Sequence, residues 1–332
     1  MSDCKKTKAL LYREHGKVDE VLNCEEKELL DLKPDQVCVQ LAAAAIHPSD
    51  FGMISGTYGK LKTLPAVAGR EAVGRIIEVG RFLERKLLGR LVRIPEEYGV
   101  WQEHFQLPHS SLQMVPEGVD PLQAALVAVN PVTAYRLLRD FVPLERGDWV
   151  IQNAGNSAVG IAVIQLAREM GVHTASLVRT VDWIEPLQKL GADLVLPDER
   201  DSVQLIQDIV PSGKCRLGLN SIGGNSVLNV IQSLDPGGVV VTFGAMAFSK
   251  IRFPTRQLIF DDITLRGFWM DRWNRTHTQQ EREDLLEKIY KRIQAGVIHT
   301  PVAATYALED YREAMEAHGK PHWGKILFVP AS

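Results

Sequence analysis

Two short stretches carry the residues best suited to chemistry. In VIQNAGNSAVGIAVIQLAREMG, residues 150–171, an apolar run enters a turn of small residues and leaves into a helix with a wide apolar face. Gly155, Ser157, Ala158 and Gly160 keep that turn free of bulk, so backbone amides can approach a pyrophosphate. The helix start adds unpaired N–H groups and partial positive charge. The glycine spacing departs from G-x-G-x-x-G, and small-residue turns also serve simply to pack a helix on a strand. The second stretch is HPSDFGMISGTYG, residues 47–59, which sets Tyr58 among glycines in what reads as a loop. A phenol with the ordinary pKa of about 10 is protonated at neutral pH and can act as an acid. Taken alone, a turn tyrosine packing its ring on a domain rim is the plainer reading.

A third feature is the end of a strand-like run at LVRT, with Arg179 and Thr180. An acidic residue there would take a ribose 2′-hydroxyl, whereas an arginine can face a 2′-phosphate and select NADPH. Asp182 stands three positions further on, and a solvated surface arginine is the alternative. Metal chemistry has no pattern behind it. Cys4, Cys24, Cys38 and Cys215 show no short spacing, and the nine histidines do not cluster. Reduced thiols and no metal are expected.

These residues need elements to hold them. The first third reads as short strands punctuated by glycine and proline: KALLY, QVCVQLAAAAI, AVGRIIEVG, RLVRIP and WQEHFQLP. That pattern suggests a compact, mostly antiparallel β domain. From about residue 145, DWVIQNA, VHTASLV, ADLVLP, RLGLNSIGG, GGVVVTFGAM and ITLRGFWM recur with helix-like pieces between most of them. Such alternation signals βαβ units in a doubly wound parallel sheet of Rossmann type. Two amphipathic helices, in QQEREDLLEKIYKRIQAG and LEDYREAMEAHG, and a closing strand, GKILFVP, read as a return to the first domain.

The chain of 332 residues, too long for one ordinary core, predicts two domains. A net charge of −3, from 38 basic and 41 acidic residues, carries no nucleic-acid footprint. No apolar run reaches the length of a membrane span. The opening MSDCKKTKALLYREHG lacks a secretory h-region and is short for a mitochondrial presequence. A cytoplasmic protein is expected, although a matured organelle protein would look the same.

With HPSDFGMISGTYG, LPAVAGREAVG, VNPVTAYRLLRDF, VIQNAGNSAVG, LNSIGG, TFGAM and LRGFWMDRW on the page, the chain resembles the medium-chain dehydrogenase/reductase superfamily along its whole length. Within it, the match is to the zinc-independent 2-enoyl thioester reductase branch. That resemblance implies a Rossmann NADP-binding domain over residues 128–271, inserted into a GroES-like catalytic domain of residues 1–127 and 272–332. It also implies a homodimer, often paired edge to edge through the Rossmann sheets. Zinc members place a cysteine ligand where this chain has Pro48-Ser49-Asp50, and Gly-His-Glu where it has Gly69-Arg70-Glu71.

Residue by residue, the resemblance makes Tyr58 the proton donor. Asn130 and Thr133 fall beside the nicotinamide and its ribose, although NPVT is also a plausible helix start with Pro131 in its first turn. Asn156, Ser157, Ala158 and Val159 match the pyrophosphate turn, and Arg179 and Thr180 the 2′-phosphate pocket. The family pattern carries a second arginine where Val181 stands. Phe243, Gly244, Ala245, Met246, Phe268, Trp269 and onward to Asp271 match contacts with the nicotinamide half. Trp269 is also a candidate wall of the acyl pocket, or ordinary core. Lys325 matches a lysine reaching the cofactor, with a surface lysine as the equal alternative.

The implied activity is NADPH-dependent reduction of the 2,3 double bond of trans-2-enoyl thioesters carried on acyl carrier protein or coenzyme A. Arg70, Lys60 and Lys62 could form a basic rim for an acidic carrier. A zinc-independent quinone or enal/enone reductase is the alternative enzyme. A non-catalytic NADPH-binding protein is the alternative outside enzymes.

Overall fold

The computed structural model describes residues 6–247, 249–251 and 253–331, so Cys4 lies outside the described residues. The chain separates into two compact units. One holds residues up to 128 and from 301 onward, and the other holds residues 129–300.

Among the described residues of the first unit, ten strands form two sheets. A three-stranded antiparallel sheet takes the order β2 (Asn23–Glu28), β1 (Lys6–Tyr12), β4 (Ala66–Val67). A seven-stranded sheet is built on β3 (Gln36–Ala45), which pairs antiparallel with β5 (Ala72–Val79) and β7 (His104–Pro108). From β5 it runs on to β6 (Leu91–Ile94) and β8 (Gln113–Met114). On the other side it runs to β16 (Lys325–Phe328) and β15 (Val302–Tyr306), which pair in parallel. Alternate residues such as Val37, Val39 and Leu41 point into one core with Leu10, Tyr12, Ile76, Val92 and Trp101. Trp101 meets Phe328 edge to face at 5.3 Å and donates its indole N–H to the Ala45 carbonyl at 3.1 Å.

The second unit is a six-stranded parallel sheet. Its order is β11 (Leu194–Pro197), β10 (His173–Val178), β9 (Trp149–Asn153), β12 (Cys215–Asn220), β13 (Val239–Thr242), β14 (Thr264–Gly267). This is the doubly wound order in which the first strand lies centrally and the chain reverses direction across the sheet beside it. All five residues of β9 are buried, so its sequence shows no alternation: Trp149, Val150 and Ile151 are apolar, and the buried Gln152 and Asn153 are held by side-chain hydrogen bonds.

The second boundary falls near residue 300, whereas the sequence reading placed it at 271–272. The Gln279–Gln294 helix, started by a Thr278/Glu281 capping box, packs with the parallel-sheet unit. Arg292 pairs with Glu169 at 2.6 Å, and Gln165 bonds the backbone of His299 through both ends of its amide.

Candidate active site

The nucleotide-type turn sits at the carboxyl end of β9. Ala154 takes a positive φ of 48°, and Ser157 caps the Ala158–Met170 helix by accepting from the Gly160 N–H at 3.1 Å. Glycine is required at two points. A Cβ on Gly155 would lie 2.6 Å from Ser176 Cβ on β10, and one on Gly160 would lie 2.6 Å from the Gly155 carbonyl oxygen. Asn156, Ser157, Ala158 and Val159 are half-buried at the helix start. Arg179 and Thr180 follow β10 and are exposed.

Phe243, Gly244, Ala245 and Met246 follow β13, tied back by Phe243 N–H to Asn220 O at 3.0 Å and Met246 N–H to Ser221 O at 3.1 Å. Phe268 and Trp269 follow β14. Phe268 lies edge-on to Phe141, and the Arg275 guanidinium lies 4.6 Å from the Trp269 ring centroid. The parallel sheet therefore gathers these four segments at the carboxyl ends of its strands, where ligands of this architecture bind.

Asn130 and Thr133 open the Asn130–Leu137 helix, which packs on the Ala158–Met170 helix. Both are buried, and Asn130 does not cap: the side-chain nitrogen Nδ2 is buried with no hydrogen-bond partner in the unit. A buried amide without a partner costs about 1–3 kcal/mol, and a ligand acceptor would recover it. Orphan amide, small-residue turn and exposed cation together fit a dinucleotide phosphate.

Tyr58 and Lys325 belong to the other unit. HPSDFGMIS, read as loop, is a helix over Pro48–Ser55: Pro48 opens it and the Asp50 carboxylate accepts from the His47 N–H at 2.7 Å. Gly56, with φ of 80°, ends it and turns the chain to Tyr58, whose N–H donates to the Gly52 carbonyl at 3.0 Å. Tyr58 is half-buried, and its oxygen accepts from Arg70 Nη1 at 2.7 Å. Arg70 is 8% exposed and holds Glu96 through Nε at 2.7 Å and Nη2 at 3.0 Å. It therefore does not belong to a basic rim. Lys62, half-buried, donates to the carbonyls of Val67 and Gly69, and burial pushes its pKa down, which leaves Lys60 alone of the three exposed.

Spacing gave no sign of the groups behind Arg70. His47 Nε2 bonds Glu71 at 2.8 Å, and Glu71 also accepts from the Ala128 N–H. Burial, then the Lys325 charge, push His47 down to about 3, so this is a neutral imidazole donating to a carboxylate. Lys325 is buried rather than superficial and donates to the Ile46 carbonyl. Burial lowers its pKa to about 8 against the pull of Asp50 and Glu71. Among the described residues, no group of three or more His, Cys, Asp or Glu is placed to hold a metal ion.

Residues 33–117 match the alcohol dehydrogenase GroES-like domain, and residues 158–318 match the zinc-binding dehydrogenase family. The mitochondrial enoyl-[acyl-carrier-protein] reductase of Rattus norvegicus is 38% identical over 325 residues, covering 95% of this chain and 86% of the relative. A solved Etr1p/NADP/crotonyl-CoA complex superposes with a TM-score of 0.88 at 26% identity, covering 98% of this chain and 99% of the other. A mycobacterial quinone oxidoreductase shares the fold at a TM-score of 0.80 and 23% identity, covering 98% of this chain and all of the other. With 38% identity to the rat reductase over 95% of its length, the chain belongs to the enoyl-[acyl-carrier-protein] reductase family within the medium-chain dehydrogenase/reductases.

Proposed function

We propose that the protein reduces the 2,3 double bond of trans-2-enoyl thioesters with NADPH, adding hydride to Cβ and a proton to Cα. The observation that carries the reading is the likeness along 95% of the chain to an enoyl-[acyl-carrier-protein] reductase. The quinone oxidoreductase shares only the fold, which many activities use.

NADPH, when bound, supplies the hydride. Asn156, Ser157, Ala158 and Val159 hold its pyrophosphate through backbone amides, and Arg179 with Thr180 faces the 2′-phosphate. Asn130 and Thr133 orient the nicotinamide ribose, with Phe243 to Met246, Phe268 and Trp269 lining the nicotinamide half. Tyr58 moves its proton from Oη to Cα as negative charge gathers on the enolate. Lys325 is kept among the proposed cofactor contacts: an ammonium has three donors, and the Ile46 carbonyl takes one.

The thioester travels on coenzyme A or acyl carrier protein. With Arg70 and Lys62 buried or engaged, the proposed carrier rim reduces to Lys60. A homodimer is supported by β14, an edge strand with Leu265 exposed, beside the exposed Leu258, Ile259 and Phe260. No helix among the described residues is long and apolar enough to cross a membrane. The mitochondrial names of the relatives favour the organelle over the cytoplasm, and cell fractionation reads it. NADPH oxidation on crotonyl-CoA, a 2-alkenal and a quinone in parallel tests the function. Turnover on the quinone or alkenal alone, or none despite NADPH binding, overturns it.

A further inference from the structure

Arg70 is a buried cation aimed in two directions. Two of its nitrogens donate to the two Glu96 carboxylate oxygens, and the third donates to Tyr58 Oη, with Cζ 4.7 Å from the ring centroid. Its side chain is 5% exposed while that of Glu96 is 40% exposed. An ion pair serving stability alone gains little from burying the arginine, since desolvating a guanidinium offsets most of the attraction. The fork geometry instead fixes the plane of the guanidinium and so the position of the phenol oxygen.

We propose that Arg70 is a positioning residue that orients Tyr58 and sets its acidity, with Glu96 aiming the guanidinium and tempering its charge. The inference rests on Tyr58 as the proton donor. In that step the Oη–H bond breaks and its electron pair stays on oxygen as phenolate. The enolate pair forms the new Cα–H bond, and water later returns a proton to Oη. A hydrogen bond from a guanidinium strengthens as its acceptor becomes anionic, so the Arg70 contact stabilises the charge that develops in the transition state more than the resting phenol. The other titratable groups of this neighbourhood are Lys62, Asp50, Glu71, Glu97 and Lys325, with His47 neutral; Lys62 is held on the carbonyls of Val67 and Gly69, and Lys325 donates to that of Ile46.

Phenolate absorbance against pH, taken as wild type minus Tyr58→Phe, isolates this residue among seven tyrosines. Arg70→Met should raise the Tyr58 midpoint by about one unit or more, and Glu96→Gln should lower it. Glu96 is the more exposed partner, so its variant reports even if Arg70→Met folds poorly. In turnover of crotonyl-CoA, Arg70→Met should lower kcat about tenfold at neutral pH with KM little changed, and shift the alkaline limb with the midpoint. Arg70→Lys should recover part of the loss. On the Tyr58→Phe background Arg70→Met should add no more than about twofold. A midpoint unmoved in both Arg70→Met and Glu96→Gln, or a full loss on the Tyr58→Phe background, overturns the proposal. Failure of the donor reading shows separately, as undiminished turnover in Tyr58→Phe.

Discussion

Gly155→Ala should weaken NADPH binding, and a second substitution on the neighbouring strand should restore it. The new Cβ would lie 2.6 Å from Ser176 Cβ and 3.1 Å from Ser176 Oγ, while the nearest backbone atom, Ser176 Cα, is at an ordinary 3.5 Å. Relieving the closest contact needs a shift of about 0.8 Å between the turn and β10. That strains the Gly155 N–H bond to the Leu177 carbonyl, now 3.1 Å, and displaces the amides of 156–159. Overpacking of this kind costs about 1–3 kcal/mol of stability. Losing one amide bond to a phosphate, about 1.5–3 kcal/mol, raises the NADPH Kd roughly tenfold to a hundredfold. Ser176→Gly removes the obstructing atoms but also the bond Ser176 Oγ accepts from Gln152 at 3.0 Å, at a cost of about 1 kcal/mol. Gln152 keeps its other bond, to the Gly160 carbonyl. Calorimetric titration of NADPH should show a weak single mutant, a near-normal Ser176→Gly and a double mutant restored most of the way. Additive losses would refute the reasoning. Gly160→Ala is the contrast, because its Cβ meets backbone carbonyls that no side-chain replacement can remove.

Arg179→Ser should raise the NADPH Kd about tenfold while leaving NADH binding nearly unchanged, read by titrating both nucleotides. Lys325 makes stability depend on pH in the alkaline range. Its folded pKa of about 8 lies below the ordinary 10.5, so between these values the native state sheds its proton first. The unfolded state then binds more protons, and stability rises with pH by up to about 1.4 kcal/mol per unit. Urea unfolding of wild type against Lys325→Met should show that rise in the wild-type-minus-variant difference between pH 8 and 10.5, and no slope would contradict the burial effect. Ile259→Glu with Phe260→Glu should convert a dimer to monomer in light scattering while NADPH binding persists.

Much of the frame was legible because burial leaves its mark locally. The strands from Trp149–Asn153 in β9 onward recur roughly every 20 to 25 residues, and that interval alone implies crossover helices between parallel strands. The Pro48–Ser55 helix was not legible. Eight residues are too few to show a 3.6-residue period, and its proline, serine, aspartate and glycine score as turn residues although Pro48 and Asp50 build its first turn. Arg70 was misplaced for a different reason. An arginine reads as superficial unless its partners are known, and Glu96 and Tyr58 lie 26 and 12 residues away along the chain. The amphipathic Gln279–Gln294 helix announced its apolar face but not which surface that face would meet, and so the second domain boundary was drawn too early.

The most direct measurement follows NADPH absorbance on adding crotonyl-CoA, with wild type and Tyr58→Phe side by side. Robust wild-type turnover, falling at least about a hundredfold in the variant with NADPH affinity kept, is the predicted result. Wild-type NADPH binding without thioester turnover, or a variant as fast as wild type, would contradict it.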